Sequence, residues 1–298
     1  MDLGQDRRGV DMGPSALRYA RLQAALTELG HTVTDLGNID VPIPEVAKPH
    51  DGGRHEMAHL QTIREVCERT MKTARAAATG GAFPVFLGGD HSISIGTVSG
   101  VAAAGRTGVL WVDAHADFNT PETSLSGNVH GMPLAVLTGG GDPDLVGIGG
   151  EEASVRAEDV VLLGLRSVDP VERRLLTAAS VRAYTMKEID VHGMAGIVGR
   201  VLEDLSHLDR VHLSFDLDVM GPNLAPGVGT PVRGGLTYRE AHLLMELVSE
   251  AGIITSLDVV EINPILDEKN ATAELAVEVV ASLLGRSILE LPRPDRLS

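Results

Sequence analysis

An apolar run in this chain is followed at once by a cluster of possible metal ligands. The segment Gly108-Val109-Leu110-Trp111-Val112 has no charged side chain, which predicts a buried strand. The next five residues, Asp113-Ala114-His115-Ala116-Asp117, place two carboxylates and an imidazole at alternate positions. Alternate side chains share one face if the extended geometry persists, so these three could converge. Crowded carboxylates need a neutralising cation. The stretch therefore predicts a metal site, the alternative being a polar loop with a coincidental histidine.

Strand-like and helix-like segments alternate along the whole sequence. Alternating or continuous apolar patterns predict strands at residues 31–36, 83–87, 108–112, 160–165, 211–215 and 253–260. Helical spacing of apolar residues predicts helices at residues 14–29, 54–79, 131–137, 170–179, 194–205, 237–249 and 271–284. The glycine-rich residues 139–150 predict a flexible surface loop. Such alternation is typical of right-handed βαβ units, which predicts an α/β fold with a mostly parallel sheet between two helical layers. We find no linker or internal repeat, which predicts one domain over residues 1–298.

Acids and histidines follow five of the predicted strands. Ligands of parallel sheets bind beyond the carboxyl ends of the strands, where these side chains would meet. They are His91, Asp113 to Asp117, Asp169, Asp216 with Asp218, and Glu261.

The metal-ligand candidates are two imidazoles and four carboxylates. Six ligands are too many for one structural zinc ion, which takes four, but they suit two hard cations that share carboxylates. An oxygen-rich set without thiolate favours Mn²⁺, with Fe, Co or Zn as substitutes. Taken alone, Asp216 and Asp218 could equally be helix-capping or surface acids. The full candidate set is His91, Asp113, His115, Asp117, Asp216 and Asp218.

Composition excludes several classes of function. A net charge of −16 argues against binding the phosphates of nucleic acids, and 3% aromatic residues provide little base stacking. The N-terminus has no apolar signal sequence and no stretch has the apolar length of a membrane helix, so we expect a cytoplasmic protein without a membrane partner. Cys67 is the only cysteine, which excludes an intramolecular disulfide and a cysteine-based zinc site.

Four segments together resemble the signatures of the ureohydrolase, or arginase–agmatinase, family. They occur in the family's order, and the similarity extends from Gln5 to the C-terminal helix, closest to the arginase branch. The segments are Gly88-Gly89-Asp90-His91-Ser92, Asp113-Ala114-His115-Ala116-Asp117, Ser214-Phe215-Asp216-Leu217-Asp218 and Glu261-Ile262-Asn263-Pro264. The resemblance implies an arginase-like, three-layer α/β/α fold with about seven to eight strands, and a homo-oligomer, either a trimer or a hexamer.

The resemblance also implies a binuclear manganese site, with two Mn²⁺ per subunit. One ion would be held by His91, Asp113, Asp117 and Asp216. The other would be held by His115, Asp113, Asp216 and Asp218, so that Asp113 and Asp216 bridge the two ions. The implied reaction is hydrolysis of L-arginine to L-ornithine and urea by attack of a metal-bridging hydroxide.

Further residues match the family's substrate-binding and catalytic positions. The resemblance implies that Asn119, Ser126 and Asn128 bind the α-carboxylate, although residue types alone are equally consistent with a solvated loop. It assigns the α-amino group to Asp169, with Glu172 assisting through water. Glu261 would position the guanidinium, Thr230 would support developing charge, Asp117 would relay a proton, and His130 would act as a proton shuttle with a pKa suited to that work.

The sequence departs from the family's pattern at two places. Ser167 stands where the family often has an acid, which weakens the expected support for the amino-group site. Family members also usually carry an apolar strand before the segment that begins at Met1. Its absence predicts that a strand near the middle of the sheet is missing from this sequence.

Three rival functions are weighed against this interpretation. His55-Glu56-Met57-Ala58-His59, inside the helix predicted at 54–79, has the spacing of a zinc-protease motif, but no third ligand motif follows it and an exposed helix face is the favoured explanation. Agmatinase or another guanidino hydrolase would share the metals but not the amino-acid clamp. A binding protein without activity would be expected to have lost metal ligands, and all six are present.

Overall fold

A single sheet of parallel strands organises the described part of the chain. The computed structural model describes residues 1–43, 57, 59–150 and 152–287. Within them six strands pair in the order β1-β6-β5-β2-β3-β4, and every pairing is parallel. The strands are β1 (Val85–Leu87), β2 (Gly108–Val112), β3 (Val160–Leu165), β4 (Arg182–Thr185), β5 (Val211–Asp216) and β6 (Ile254–Val260).

Helices cover both faces of this sheet. They are α1 (Gly13–Tyr19), α2 (Leu22–Glu28), α3 (Leu60–Thr79), α4 (Ser94–Ala102), α5 (Pro133–Leu137), α6 (Pro143–Val146), α7 (Pro170–Ala179), α8 (Met186–Leu205), α9 (Tyr238–Ala251) and α10 (Ala271–Leu283). Leu110 and Val112 of β2 pack with α1, α2 and α8 to α10, whereas Val109 and Trp111 pack with α4, α5 and α7. Because alternate side chains face opposite helical layers, the central strands are apolar on both faces. The predicted parallel α/β/α architecture is confirmed.

The sheet has six strands in the described residues, against about seven to eight implied by the family resemblance. In the described residues the strands pair continuously from β1 to β4. The sheet therefore has no gap near its middle, which is where the family resemblance implied that a strand would be missing. The segment at residues 31–36, predicted as a strand, forms none. Its alternating pattern pairs with no neighbouring strand in the described residues, and an isolated strand leaves its backbone hydrogen bonds unmade.

Two predicted helices differ from the structure. The helix predicted at residues 14–29 is divided into α1 and α2, with Arg21 in a left-handed conformation at φ 67°. The helix predicted at 54–79 begins only at Leu60, after His59 at φ 60°. His55, Glu56 and Ala58 lie outside the described residues. The zinc-protease motif requires its histidines to lie on a helix. His59 lies before the helix and has a non-helical backbone, so it does not meet that requirement.

Two further differences concern segments with weak patterns. Strand β4 and the first half of α8 were not predicted, because β4 is a short edge strand and Gly193, at φ 70°, interrupts the helical pattern. The loop predicted at residues 139–150 contains the short helix α6, whose Leu145 is only 1% exposed and packs in the core.

The topology brings the carboxyl ends of β5 and β2 together at the centre of the sheet. Strand β3, which follows β2 in the chain, pairs with one edge of β2, and β5 pairs with its other edge. Ligands of such sheets bind where the direction of winding reverses, which is between these two strands. None of the helices in the described part of the chain combines the length and apolar content that a membrane crossing requires.

Candidate metal centre and substrate cavity

Three possible ligands after β2 converge through a turn rather than through extended geometry. The strand ends at Val112, and the chain bends at Ala114 and His115. Asp117 has a φ of 50°, a left-handed conformation that costs a residue with a β-carbon roughly 1–3 kcal/mol. The three side chains converge, as the sequence predicted. They do so because the chain turns after Val112, and not because alternate residues of an extended strand share one face. Strained backbone of this kind is concentrated at functional sites.

Four residues form what we call the His91 subsite: His91, Asp113, Asp117 and Asp216. The Nδ1 atom of His91 lies 3.1 Å from a carboxylate oxygen of Asp117 and 3.2 Å from oxygens of Asp113 and Asp216. These ligands come from the ends of β1, β2 and β5, three strands that meet at this edge of the sheet. All four side chains are buried.

Three residues form what we call the His115 subsite: His115, Asp113 and Asp218. The Nδ1 atom of His115 lies 2.9 Å from Asp218 and 3.5 Å from Asp113. Asp113 therefore belongs to both subsites, as a bridging ligand would. Asp216 lies in the ligand group that contains His91 and Asp113, and not in the group that contains His115. Its role as a second bridging ligand remains a prediction.

The donor set fits cations. His91 Nδ1 is buried with no hydrogen-bond partner, although it faces three carboxylates. Burial and the carboxylates of Asp218 and Asp113 raise the pKa of Asp216 well above its ordinary value. Burial and Asp113 raise the pKa of Asp117 to about 7. Carboxylates that repel each other in a buried cluster are stabilised by protons or by metal ions. An unpartnered imidazole nitrogen at the same point favours metal ions.

Side chains around His91 fix its orientation. Its Nε2 atom lies 2.8 Å from the hydroxyl of Ser214, and its ring stacks on Trp111 with a centroid separation of 4.1 Å. The indole Nε1 of Trp111 donates to Asp113 at 3.1 Å. Contacts of this kind set the tautomer of a metal-binding histidine and leave its other nitrogen for the metal. Neither Ser214 nor Trp111 was singled out for this role from the sequence, although each precedes a predicted ligand by two residues and so shares its strand face.

Glu261 connects the His91 subsite to His130. One of its oxygens accepts from the backbone N–H of His91 at 2.9 Å and lies 3.0 Å from His130 Nδ1, while the other accepts from Gln5 at 2.8 Å. Glu261 is 1% exposed and has a φ of 65°. Burial would lower the pKa of His130, but Glu261 outweighs it and raises that pKa to about 9. This pKa is higher than the unperturbed value assumed from the sequence.

A cavity of about 180 Å³ opens above the His115 subsite. Five residues that were predicted as metal ligands or catalytic groups line it, and so do four of the predicted substrate-binding residues. The lining residues are His115, Asp117, Asn119, His130, Gly131, Ser167, Asp169, Glu172, Asp216, Asp218 and Thr230. Ser126, Asn128 and Glu261 are not among them. Ser126 is exposed, and its hydroxyl accepts from the backbone N–H of Asn128 at 3.2 Å.

Hydrogen bonds prepare the substrate end of this cavity. The hydroxyl of Thr123 donates to Oδ1 of Asn119 at 3.0 Å, which leaves the Asn119 amide group as a donor. Glu172 accepts from the backbone N–H of Phe118 at 2.9 Å and of Asp169 at 3.2 Å. It thereby joins the loop after β2 to the start of α7, and burial raises its pKa. The cavity presents an amide donor on one loop and a carboxylate on the other.

Comparison with known proteins finds similarity over nearly the whole chain. The profile of the Arginase family matches residues 1–285. The chain is 50% identical over 290 residues to the arginase of Bacillus subtilis, covering 97% of this chain and 96% of that protein. The chain belongs to the arginase family. The prediction of an arginase-family hydrolase is thereby confirmed.

Two solved arginase structures show how far the similarity extends in three dimensions. The arginase of Bacillus caldovelox superposes with a TM-score of 0.93 at 48% identity, over 97% of each chain. The Entamoeba histolytica arginase in complex with L-ornithine superposes with a TM-score of 0.85 at 29% identity, over 95% of this chain and 94% of that one. Arginase-family enzymes are metal-dependent hydrolases of small molecules, and this chain carries two groups of candidate metal ligands.

Proposed function

We propose that this protein hydrolyses L-arginine to L-ornithine and urea with two Mn²⁺ ions per subunit. One observation carries the proposal: two ligand groups that share Asp113 lie beneath a cavity with an amide donor and a carboxylate at its rim. A cationic guanidinium suits an acidic cavity, and a carboxylate and an amide donor suit the two ends of an amino acid. The arginase relatives at 40–50% identity support the same substrate.

The metal ions would be held in the His91 and His115 subsites, with Asp113 and Asp216 as bridging ligands. When bound, the two ions supply Lewis acidity and a water-derived nucleophile at neutral pH. The chain's own residues orient the substrate around them. Asn119 donates to the α-carboxylate, together with Ser126 and Asn128, and Asp169 accepts from the α-amino group, with Glu172 holding Asp169 in place.

Three residues would handle protons in this reaction: Asp117, which is also a candidate metal ligand, and His130 with Glu261. Asp117 passes the proton of the nucleophile toward the leaving amine. His130 contacts Glu261 and its side chain is 16% exposed, so it connects the cavity with solvent and can exchange protons with it. Glu261 holds His130 and positions the guanidinium, and Thr230, which donates to Asp218 at 2.9 Å, supports the charge that develops in the transition state.

The direct test is urea release from L-arginine and from agmatine, each with Mn²⁺ and after chelation. We expect arginine to be hydrolysed with the higher kcat/KM, because agmatine has no carboxylate for Asn119 to bind, and we expect chelation to abolish both activities. Equal or faster turnover of agmatine would overturn the substrate assignment, and activity that survives chelation would overturn the metal assignment.

A pair of variants tests the basis of this preference. Asn119→Ala should lower kcat/KM for arginine by about 10-fold, which corresponds to one hydrogen bond to a charged group, and should leave agmatine turnover unchanged. The exposed Asn223→Ala is the matched control and should change neither value. A parallel loss of both activities in Asn119→Ala would contradict the assignment of Asn119 to the carboxylate.

A further inference from the structure

Arg166, the first residue after β3, contacts three loops of the site. Its guanidinium donates to the carbonyl oxygen of Asp218 at 2.6 Å and to that of Val219 at 3.1 Å, both directly after β5. It also donates to the carbonyls of Val232 at 2.9 Å and Arg233 at 3.2 Å, in the loop that carries Thr230. All its partners are backbone carbonyls, and no carboxylate in the described ranges lies within ion-pair distance of it.

The backbone of Arg166 reaches the third loop. Its N–H donates to the carbonyl oxygen of Ala114 at 3.0 Å, within the turn that carries Asp113 and His115. One residue therefore connects the turn after β2, the Asp216–Asp218 segment and the loop of Thr230. Partial burial lowers the pKa of Arg166, and the carboxylates of Asp218, Asp113 and Asp216 offset that only in part, so its charge also lies within the field of the candidate ligand carboxylates.

The three loops that Arg166 contacts all belong to the His115 subsite. The side chain of Asp218 accepts from Thr230 at 2.9 Å and from the backbone N–H of Ala114 at 3.2 Å, and it lies 2.9 Å from His115. Arg166 is bonded to the backbone of each of the three loops that make these contacts. The His91 subsite depends instead on Ser214, Trp111 and Glu261, none of which Arg166 contacts.

We propose that Arg166 is a positioning residue that holds the His115 subsite in its metal-binding geometry and has little influence on the His91 subsite. The inference rests on the proposed function, since it requires that the chain bind two Mn²⁺ ions. A planar fork that reaches several carbonyls at once is a property of arginine that the single ammonium of lysine does not reproduce. Arg166→Lys therefore retains the positive charge but removes the planar group that donates to several carbonyls at once.

The test separates the two subsites by two readouts. Equilibrium dialysis against a series of free Mn²⁺ concentrations, followed by elemental analysis, counts both ions. Fluorescence of Trp111, the only tryptophan in the chain, responds most directly to the His91 subsite because the indole stacks on the His91 ring, although its hydrogen bond to Asp113 is common to both subsites. For Arg166→Lys we expect one of the two dissociation constants to rise by about 10–100-fold, and we expect the main fluorescence change to follow the other, unchanged constant. The exposed Arg174→Lys is the matched control and should retain both constants.

The outcomes distinguish this inference from the proposed function. A wild-type chain that binds no Mn²⁺ would overturn both. A wild-type chain that binds two ions, with an Arg166→Lys variant that binds both as tightly or loses both equally, would overturn the role of Arg166 alone. Should Arg166→Lys not fold, Thr230→Val removes the hydroxyl that donates to Asp218, and the same selective loss at the His115 subsite is expected. Its absence there would likewise contradict the proposal.

Discussion

Asp216→Asn is expected to lower kcat for arginine by at least about 10³-fold and to reduce the Mn²⁺ content of the purified protein. Asp216 lies 3.2 Å from His91 Nδ1, and its other oxygen accepts from the backbone N–H of Asp218 at 2.7 Å. An asparagine oxygen can retain that second bond, so the turn is kept while the negative charge is lost. Metal ions contribute several kcal/mol of transition-state stabilisation, and each 1.36 kcal/mol is about tenfold in rate.

The measurement is urea production at saturating arginine together with metal analysis of the same preparations. Asp190→Asn, an exposed acid on α8, is the matched control and should retain both activity and metal. Near wild-type kcat in Asp216→Asn would show that activity does not depend on this carboxylate as a metal ligand. The account of the His91 subsite would then be wrong.

Asp258→Ala is expected to lower the free energy of unfolding by about 3–5 kcal/mol. Asp258, in β6, is fully buried and accepts from the hydroxyls of Ser94 and Thr97 at 2.7 Å each, and it lies 3.2 Å from His212 Nε2. Burial alone would raise its pKa, but His212 and the hydroxyls outweigh burial and lower it. Removing the carboxylate leaves an imidazole and two hydroxyls buried without their acceptor.

Urea denaturation of the metal-free protein checks this expectation. Asp209→Ala, at an exposed position, should change the unfolding free energy by less than about 0.5 kcal/mol. Asp258→Asn keeps an acceptor oxygen and should fall between the two. A loss below about 1 kcal/mol for Asp258→Ala would contradict the view that this cluster anchors the start of α4, and hence His91, to the sheet.

The strongest sequence signals predicted the centre of the molecule. The fully apolar run of β2 could be assigned because its length is typical of a buried strand and too short for an ordinary helix. The ligands follow strand ends, and parallel strands necessarily bring those ends to one edge. The helix predicted at residues 237–249 is likewise found as α9, and Thr237 caps its start by accepting from the backbone N–H of Glu240.

Features that depend on neighbours in space could not be predicted in this way. The segment at 31–36 has a strand's alternation but no partner strand among the described residues, and pairing rather than pattern makes a strand. The break at Arg21 carries no glycine or proline signal. Arg166 and Asp258 are single charged residues at or within strands, and only the fold shows that one is surrounded by carbonyls and the other by hydroxyls and an imidazole.

The proposed function requires two cations that share the carboxylate of Asp113. Crystals grown with Mn²⁺ and measured at the manganese absorption edge locate such ions by anomalous scattering. We predict two peaks per chain, one beside Nδ1 of His91 and one beside Nδ1 of His115, with the Asp113 carboxylate between them. A single peak, or peaks away from Asp113, would contradict the account.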